Sequence, residues 1–246
     1  MNTLVFVHGY LGGGRQWAGQ RQAFGDRFRV VTPDLPGFGD HNNAVTPNSI
    51  NALARNVLDQ LDALEVQRFH LVGHSMGGMI VQEIVALAPE RVDRLVLYGT
   101  GPVGTMPGRF ETIEQSRCAL RENGVAPTAR RIAATWFREG ESGQGYELCT
   151  ELALRATEQA ALAGLDAMEH WSGVDALAQI KSPSLVLWGD TDRAYLWPQP
   201  EQLWHRIPAA QLAVIPGCSH AVHLEKPQLF NAMLEDFLQD ESSANA

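Results

Sequence analysis

The sequence Phe-His-Leu-Val-Gly-His-Ser-Met-Gly-Gly-Met-Ile, at residues 69–80, joins an apolar run of strand length to an apolar helical pattern. The junction is the pentapeptide Gly-His-Ser-Met-Gly at residues 73–77, a G-x-S-x-G motif. A sharp strand-to-helix turn at such a motif presents the hydroxyl of Ser75 beyond the strand, and the flanking glycines leave room for that turn. The helix starts at once, so its unpaired N–H groups lie near any negative charge that develops at Ser75.

The motif alone is modest evidence, because a chain with 23 glycines can produce it by chance. Its context is more informative. Apolar runs of strand length occur at residues 3–7, 28–33, 69–72, 95–98, 184–188 and 211–215. Residues 48–64 and 227–238 show the spacing of amphipathic helices. Nearly continuous apolar strands that alternate with helices predict a parallel, doubly wound α/β sheet covered on both faces.

The strand pattern is absent from residue 103 to about residue 175, where helical patterns occur at 130–137 and 147–163. We therefore predict a core formed by residues 1–102 and 176–246, with an inserted helical cap formed by residues 103–175. The polar residues 240–246 predict a frayed tail.

Bulk composition excludes several classes of function. The net charge of -9 and the presence of only two lysines argue against a nucleic-acid or anionic-membrane surface. Three cysteines without a C-x-x-C pattern indicate reduced thiols, and because a strand is predicted from residue 3 we expect no secretory signal. We expect a cytoplasmic monomer or homodimer that acts on a small molecule and binds neither nucleic acid nor membrane.

Four turns with reactive side chains each follow a predicted strand directly, at residues 8–10, 73–77, 189–192 and 217–220. Parallel strands point the same way, so these turns meet at one edge of the sheet, where ligands of such sheets bind. The glycine-rich turn after the first strand continues as Arg15-Gln16, where a phosphate-binding loop needs Lys and Ser or Thr. The sequence therefore predicts one site at this edge, without a nucleotide.

The chain resembles the α/β-hydrolase superfamily along nearly its whole length. The matching pieces are His8-Gly9, Asp-Leu-Pro-Gly-Phe-Gly at 34–39, the G-x-S-x-G turn, Gly189-x-x-Asp192, and Gly-Cys-Ser-His at 217–220 leading into His-Leu-Glu-Lys-Pro at 223–227. The resemblance implies that Ser75 is the nucleophile, that His220 is the base and later the acid, and that Asp192 orients the imidazole. It also implies an oxyanion hole formed by the backbone N–H groups of Tyr10 and Met76.

The resemblance also predicts a departure from the usual fold. Since the first parallel strand begins at residue 3, the first antiparallel hairpin common in the family is expected to be missing. Two alternative site assignments stay open: Asp190 as the acid, although its place suits a turn residue, and His223 as the base. His70 and His74 have a metal-like spacing but lie on a strand and its turn, so no metal and no cofactor are expected.

A serine at position 75 indicates acyl chemistry, because the dehalogenases and epoxide hydrolases of this fold need aspartate there. The first expectation is a serine hydrolase that cleaves a small carboxylic ester or lactone. The alternatives are a meta-cleavage C–C hydrolase, a lyase similar to the menaquinone-pathway synthase, and a ligand receptor with slow turnover. The expected substrate contacts are Trp136, Phe137, Trp197 and a cap arginine that reads a carboxylate, by preference Arg130 or Arg131.

Overall fold

The computed structural model describes residues 1–239, and its centre is a single sheet of six parallel strands in the order β2-β1-β3-β4-β5-β6. The strands are β1 Thr3–Val7, β2 Arg29–Val31, β3 Phe69–His74, β4 Val92–Tyr98, β5 Ser184–Gly189 and β6 Gln211–Ile215. The predicted doubly wound parallel sheet, without a first hairpin in the described chain, is confirmed. The predicted tail at residues 240–246 lies outside the described residues.

Ten α-helices lie in the described chain. They are α1 Ala18–Phe24, α2 Ile50–Ala63, α3 Met76–Leu87, α4 Ile113–Asn123, α5 Val125–Ala134, α6 Tyr146–Ala153, α7 Glu158–Glu169, α8 Pro198–Arg206, α9 Val222–Glu225 and α10 Pro227–Gln239. None of them combines the length and apolar character needed to cross a bilayer, as far as residues 1–239 show.

Two apolar clusters lie on the two faces of the sheet, because successive strand residues point to opposite sides. In β1, Val5 and Val7 pack into the cluster that contains α2 and α3, whereas Leu4 and Phe6 pack into the cluster that contains α10. This arrangement fixes the register of the buried strands, since a slip of one residue would exchange the two faces. The turns that follow the strands are thereby held in defined positions.

The chain between β4 and β5 forms α4 to α7, and its two ends are joined at their base. Val103 and Ser172 form an isolated antiparallel bridge, and the N–H of Gly104 donates to the carbonyl of Trp171 over 3.0 Å. These contacts lie close to the predicted limits of the cap, although the division at residues 103 and 175 stays a prediction.

Helix boundaries within this segment differ from those predicted. The single helix predicted at residues 147–163 is two helices, α6 and α7, because Thr157 caps α7 and its side chain accepts a hydrogen bond from the N–H of Ala160 over 3.1 Å. The helix predicted at residues 130–137 is α5, which begins earlier, at Val125.

Candidate active site

Ser75 occupies a strained turn between β3 and α3, with φ 58° and ψ −123°. This conformation is costly for a residue other than glycine, and such strain concentrates at functional sites. The two flanking glycines are required by packing, since a Cβ on Gly73 would lie 2.5 Å from the carbonyl oxygen of Gly77, and one on Gly77 would lie 2.3 Å from that of Val7. The turn therefore presents the Ser75 side chain at the carboxyl end of the sheet.

The loop after β1 lies directly against Ser75. A Cβ on Gly9 would approach the Ser75 Cβ to 2.8 Å, so only glycine fits at this position. His8 holds the loop through both ring nitrogens, which lie 2.8 Å from the carbonyl oxygen of Gly9 and 3.0 Å from the backbone nitrogen of Leu35. Burial lowers the pKa of His8, so the ring is neutral, with its proton on Nδ1 and an acceptor at Nε2.

Two backbone N–H groups beside Ser75 are without an acceptor. Within residues 1–239, neither the N–H of Tyr10 nor that of Met76 donates a hydrogen bond. Met76 is the first residue of α3, where unpaired N–H groups and the helix dipole favour negative charge. The Tyr10 side chain is anchored, because its hydroxyl donates to the carbonyl of Ala161 in α7 over 3.0 Å.

His220 and Asp192 form a buried pair. The Nδ1 of His220 lies 2.8 Å from Oδ2 of Asp192, and the two residues are 1% and 3% exposed. The second carboxylate oxygen, Oδ1, accepts hydrogen bonds from the N–H groups of Ala194 and Tyr195 over 2.7 and 3.1 Å. The carboxylate is therefore fixed on both sides, and the pairing at Nδ1 leaves Nε2 of His220 available to a nucleophile.

Asp190, the alternative acid, has a different set of contacts. Its Oδ1 accepts hydrogen bonds from the N–H groups of Gly217 and Cys218 over 2.6 and 3.4 Å. These bonds join the turn after β5 to the turn after β6. Asp190 thus holds together the two loops that carry Asp192 and His220.

His223, the alternative base, lies behind His220 in a polar and aromatic layer. Its Nδ1 is 3.1 Å from the hydroxyl of Tyr98, and its ring lies 4.3 Å from that of Trp17. Burial lowers the pKa of His223 to about 3, so the side chain is neutral. The same Tyr98 hydroxyl donates to the carbonyl of His220 over 2.8 Å, and His74 Nε2 lies 3.1 Å from that carbonyl. This layer fixes the backbone of His220.

Tyr195 is one of the side chains beside Ser75 and His220 that the sequence motifs did not predict. Its ring stacks on the imidazole of His220 at 5.5 Å and 11°. Burial raises the pKa of Tyr195 to about 12, and hydrogen bonding to the hydroxyls of Ser75 and Thr100 partly opposes this rise. The available signal was its place in the loop directly after Asp192.

Two small cavities of about 20 and 10 Å³ lie beside Ser75. The residues that line both are Tyr10, Ser75, Trp136 and His220. The larger cavity is also lined by Gly104, Met106, Arg109, Phe110, Ile113, Ile132, Met168, Ala194 and Tyr195. The smaller one is also lined by Gly9, Gln16, His74, Cys149, Ala221 and His223.

Of the predicted substrate contacts, Trp136 lines both cavities, whereas Phe137, Arg130 and Trp197 line neither. Phe137 is fully buried and packs edge-on against Tyr146 at 6.3 Å. Trp197 packs on Trp188 at 5.4 Å. Arg130 is exposed on α5.

The chain matches the model of the Alpha/beta hydrolase family over residues 4–233. The chain belongs to the alpha/beta hydrolase family. It is an enzyme of that family, since relatives and structural neighbours that cover almost the whole chain are hydrolases and esterases. No group of three or more His, Cys, Asp or Glu side chains in residues 1–239 is arranged to hold a metal ion.

Two relatives of the family cover almost the whole chain. A protein of Agrobacterium fabrum provisionally named as the carbamate hydrolase RutD is 28% identical over 96% of this chain and 92% of its own length. A 2-hydroxy-6-oxononadienedioate/2-hydroxy-6-oxononatrienedioate hydrolase of Paraburkholderia phymatum is 30% identical over 96% of this chain and 86% of its own length.

Solved structures agree with the observed fold. A thermophilic esterase from Thermogutta terrifontis is 25% identical, with a TM-score of 0.87 over 97% of this chain and 90% of that one. An enol-lactonase from Burkholderia xenovorans is 23% identical, with a TM-score of 0.87 over 98% of this chain and 93% of that one. At that identity the second likeness supports the fold alone.

Proposed function

We propose that this protein is a serine hydrolase that cleaves a small carboxylic ester or lactone through an acyl-enzyme. The observation that carries the proposal is the buried hydrogen bond between His220 and Asp192, on loops beside the strained turn of Ser75. Both Ser75 and His220 line the two cavities, so the hydroxyl and the imidazole face the same space.

In the proposed reaction, Ser75 Oγ attacks the acyl carbon while Nε2 of His220 takes its proton. Asp192 stabilises the resulting imidazolium and holds the ring in its productive tautomer. The imidazolium then protonates the leaving alkoxide, and a water molecule activated by the same ring hydrolyses the acyl-enzyme. The free N–H groups of Tyr10 and Met76 are suited to hold the oxyanion, each contributing on the order of 3 kcal/mol to transition-state stabilisation.

Hydrolysis of a C–C bond is the second candidate, because the relative from Paraburkholderia phymatum is named for that activity. The ester is favoured over the C–C bond because His74 stands before the nucleophile, where meta-cleavage hydrolases often have asparagine. A lyase similar to the menaquinone-pathway synthase and a ligand receptor with slow turnover rank below these two hydrolases.

A panel of p-nitrophenyl acetate, aliphatic lactones and vinylogous diketones, tested on the purified protein, discriminates among these functions. We expect a burst and turnover with the ester, loss of both in Ser75→Ala, and no change on addition of EDTA. Turnover of the diketones alone would support hydrolysis of a C–C bond in place of ester hydrolysis. Ester binding without turnover would support the receptor instead, and loss of activity on chelation would contradict the cofactor-free mechanism.

A further inference from the structure

Arg109 places a cationic side chain in the wall of the larger cavity. It lines that cavity together with Ser75, His220 and Tyr195. Its Nη1 is buried and, within residues 1–239, has no hydrogen-bond partner. Leaving a buried donor of a charged group without a partner is costly, so Nη1 calls for an acceptor, which a water molecule or a bound ligand would supply.

The nearest acid in sequence does not neutralise Arg109. Glu111 accepts hydrogen bonds from Arg131 and from the hydroxyl of Ser116. The guanidinium of Arg109 instead lies over the ring of Phe110, with its Cζ 4.8 Å from the ring centroid. The aromatic face orients the cation without supplying an acceptor.

The charge of Arg109 acts on the site itself. Burial raises the pKa of both Tyr10 and Tyr195, and the positive charge of Arg109 opposes the rise in each. These tyrosines lie beside Ser75 and His220, so the guanidinium is close to the reacting groups. The remaining wall of the cavity is mostly apolar, with Met106, Phe110, Ile113, Ile132, Trp136 and Met168.

From this geometry we infer that the substrate is a carboxylate-bearing ester or lactone whose anionic group is bound by Arg109. The inference rests on the proposed function, since it names the substrate class of that site. A planar carboxylate accepts two parallel bonds from a guanidinium, which supplies the acceptor that Nη1 lacks. The sequence had favoured Arg130 or Arg131 for this role, but the first is exposed outside the cavities and the second is paired with Glu111.

Binding to the inactive Ser75→Ala protein tests the anion site without requiring turnover. The probes are monomethyl adipate and its neutral analogue dimethyl adipate, titrated by calorimetry. We expect the half ester to bind roughly tenfold to a hundredfold more tightly, as a hydrogen-bonded charge pair would give. Adding Arg109→Gln should remove this preference, and Arg109→Lys should retain part of it. Arg121→Gln, an exposed cap arginine, serves as the matched control and should keep the full preference.

Equal binding of the two probes to the Ser75→Ala protein, or a preference that survives Arg109→Gln, would overturn the inference. If Arg109→Gln does not fold, the graded effect of Arg109→Lys carries the same test. Turnover by the protein with Ser75 intact separates the two proposals. Hydrolysis of both adipates at the same kcat/KM would leave the esterase proposal standing and reject the anion site. Arg109-dependent binding without hydrolysis of either ester would reject the esterase proposal alone.

Discussion

The ring of Tyr195 stacks on the imidazole of His220, with centroids 5.5 Å apart and planes 11° from parallel. The backbone of Tyr195 is held at both ends, because its N–H donates to Asp192 and its carbonyl accepts from the Trp188 indole over 2.8 Å. One residue thus fixes the plane of the imidazole and one oxygen of its carboxylate partner. The stacked ring therefore gives Tyr195 a positioning role, which is separate from the contact between its hydroxyl and Ser75.

Tyr195→Phe and Tyr195→Ala separate these two roles. The phenylalanine variant keeps the stacked ring and loses the hydrogen bonds to Ser75 and Thr100; the one to Ser75 bears on catalysis and is worth about 1 kcal/mol, so kcat/KM should fall about fivefold. The alanine variant removes a buried ring, so it should lose about 3 kcal/mol of unfolding free energy and far more activity. Ester hydrolysis and urea unfolding measure the two effects. Equal losses of activity in the two variants would contradict a role for the stack.

Asp192→Asn should lower kcat on the order of 10⁴-fold, as removal of the orienting carboxylate does in other serine triads. Asp190→Asn should stay close to wild-type activity, because an amide oxygen can still accept from the N–H groups of Gly217 and Cys218. Single-turnover kinetics on an activated ester would compare the two variants. The opposite ranking would make Asp190 the catalytic acid.

Replacing Ser75 should reveal the strain at φ 58°. Both Ser75→Ala and Ser75→Gly should be inactive, since each lacks the nucleophile. The glycine variant should nevertheless be more stable than the alanine variant by about 1 kcal/mol, because glycine adopts this backbone conformation without steric cost. Urea unfolding of both variants gives the comparison. Greater stability of the alanine variant would show that the turn is relaxed.

Acid should destabilise the protein partly through His223. Its pKa is lowered from 6.5 to about 3 by burial, so below pH 6.5 the unfolded state binds a proton that the folded state does not. Stability from this group is present above pH 6.5 and is lost as the pH falls towards 3, at up to about 1.4 kcal/mol per pH unit. In His223→Gln the slope of the unfolding free energy between pH 6.5 and 4 should be shallower by up to that amount. His205→Gln, an exposed control on α8, should follow the wild-type slope, and identical slopes in all three proteins would contradict the prediction.

The sheet was predictable because its strands are short, apolar and separated by amphipathic helices. Each apolar run of strand length therefore predicts a strand, and each helical spacing of apolar residues predicts a helix. The boundaries of the helices in the cap were not predictable, since a break such as that before Thr157 depends on one capping side chain inside an otherwise helical pattern.

The role proposed for Arg109 could not be predicted from the sequence either. The sequence of the cap does not indicate which of its arginines points towards the cavity. The path of residues 106–111 over the cavity decides this. The cap limits, the oxyanion donors, the cytoplasmic location and the monomeric or dimeric state stay predictions.

The hydrogen bond from Tyr10 to Ala161 links the loop beside the nucleophile to α7, and the ring of Tyr10 fills the space where Gly164 lacks a side chain. A displacement of α7 would therefore disturb the same residue whose amide is proposed to hold the oxyanion. The helical segment and the proposed oxyanion site are therefore coupled through a single side chain.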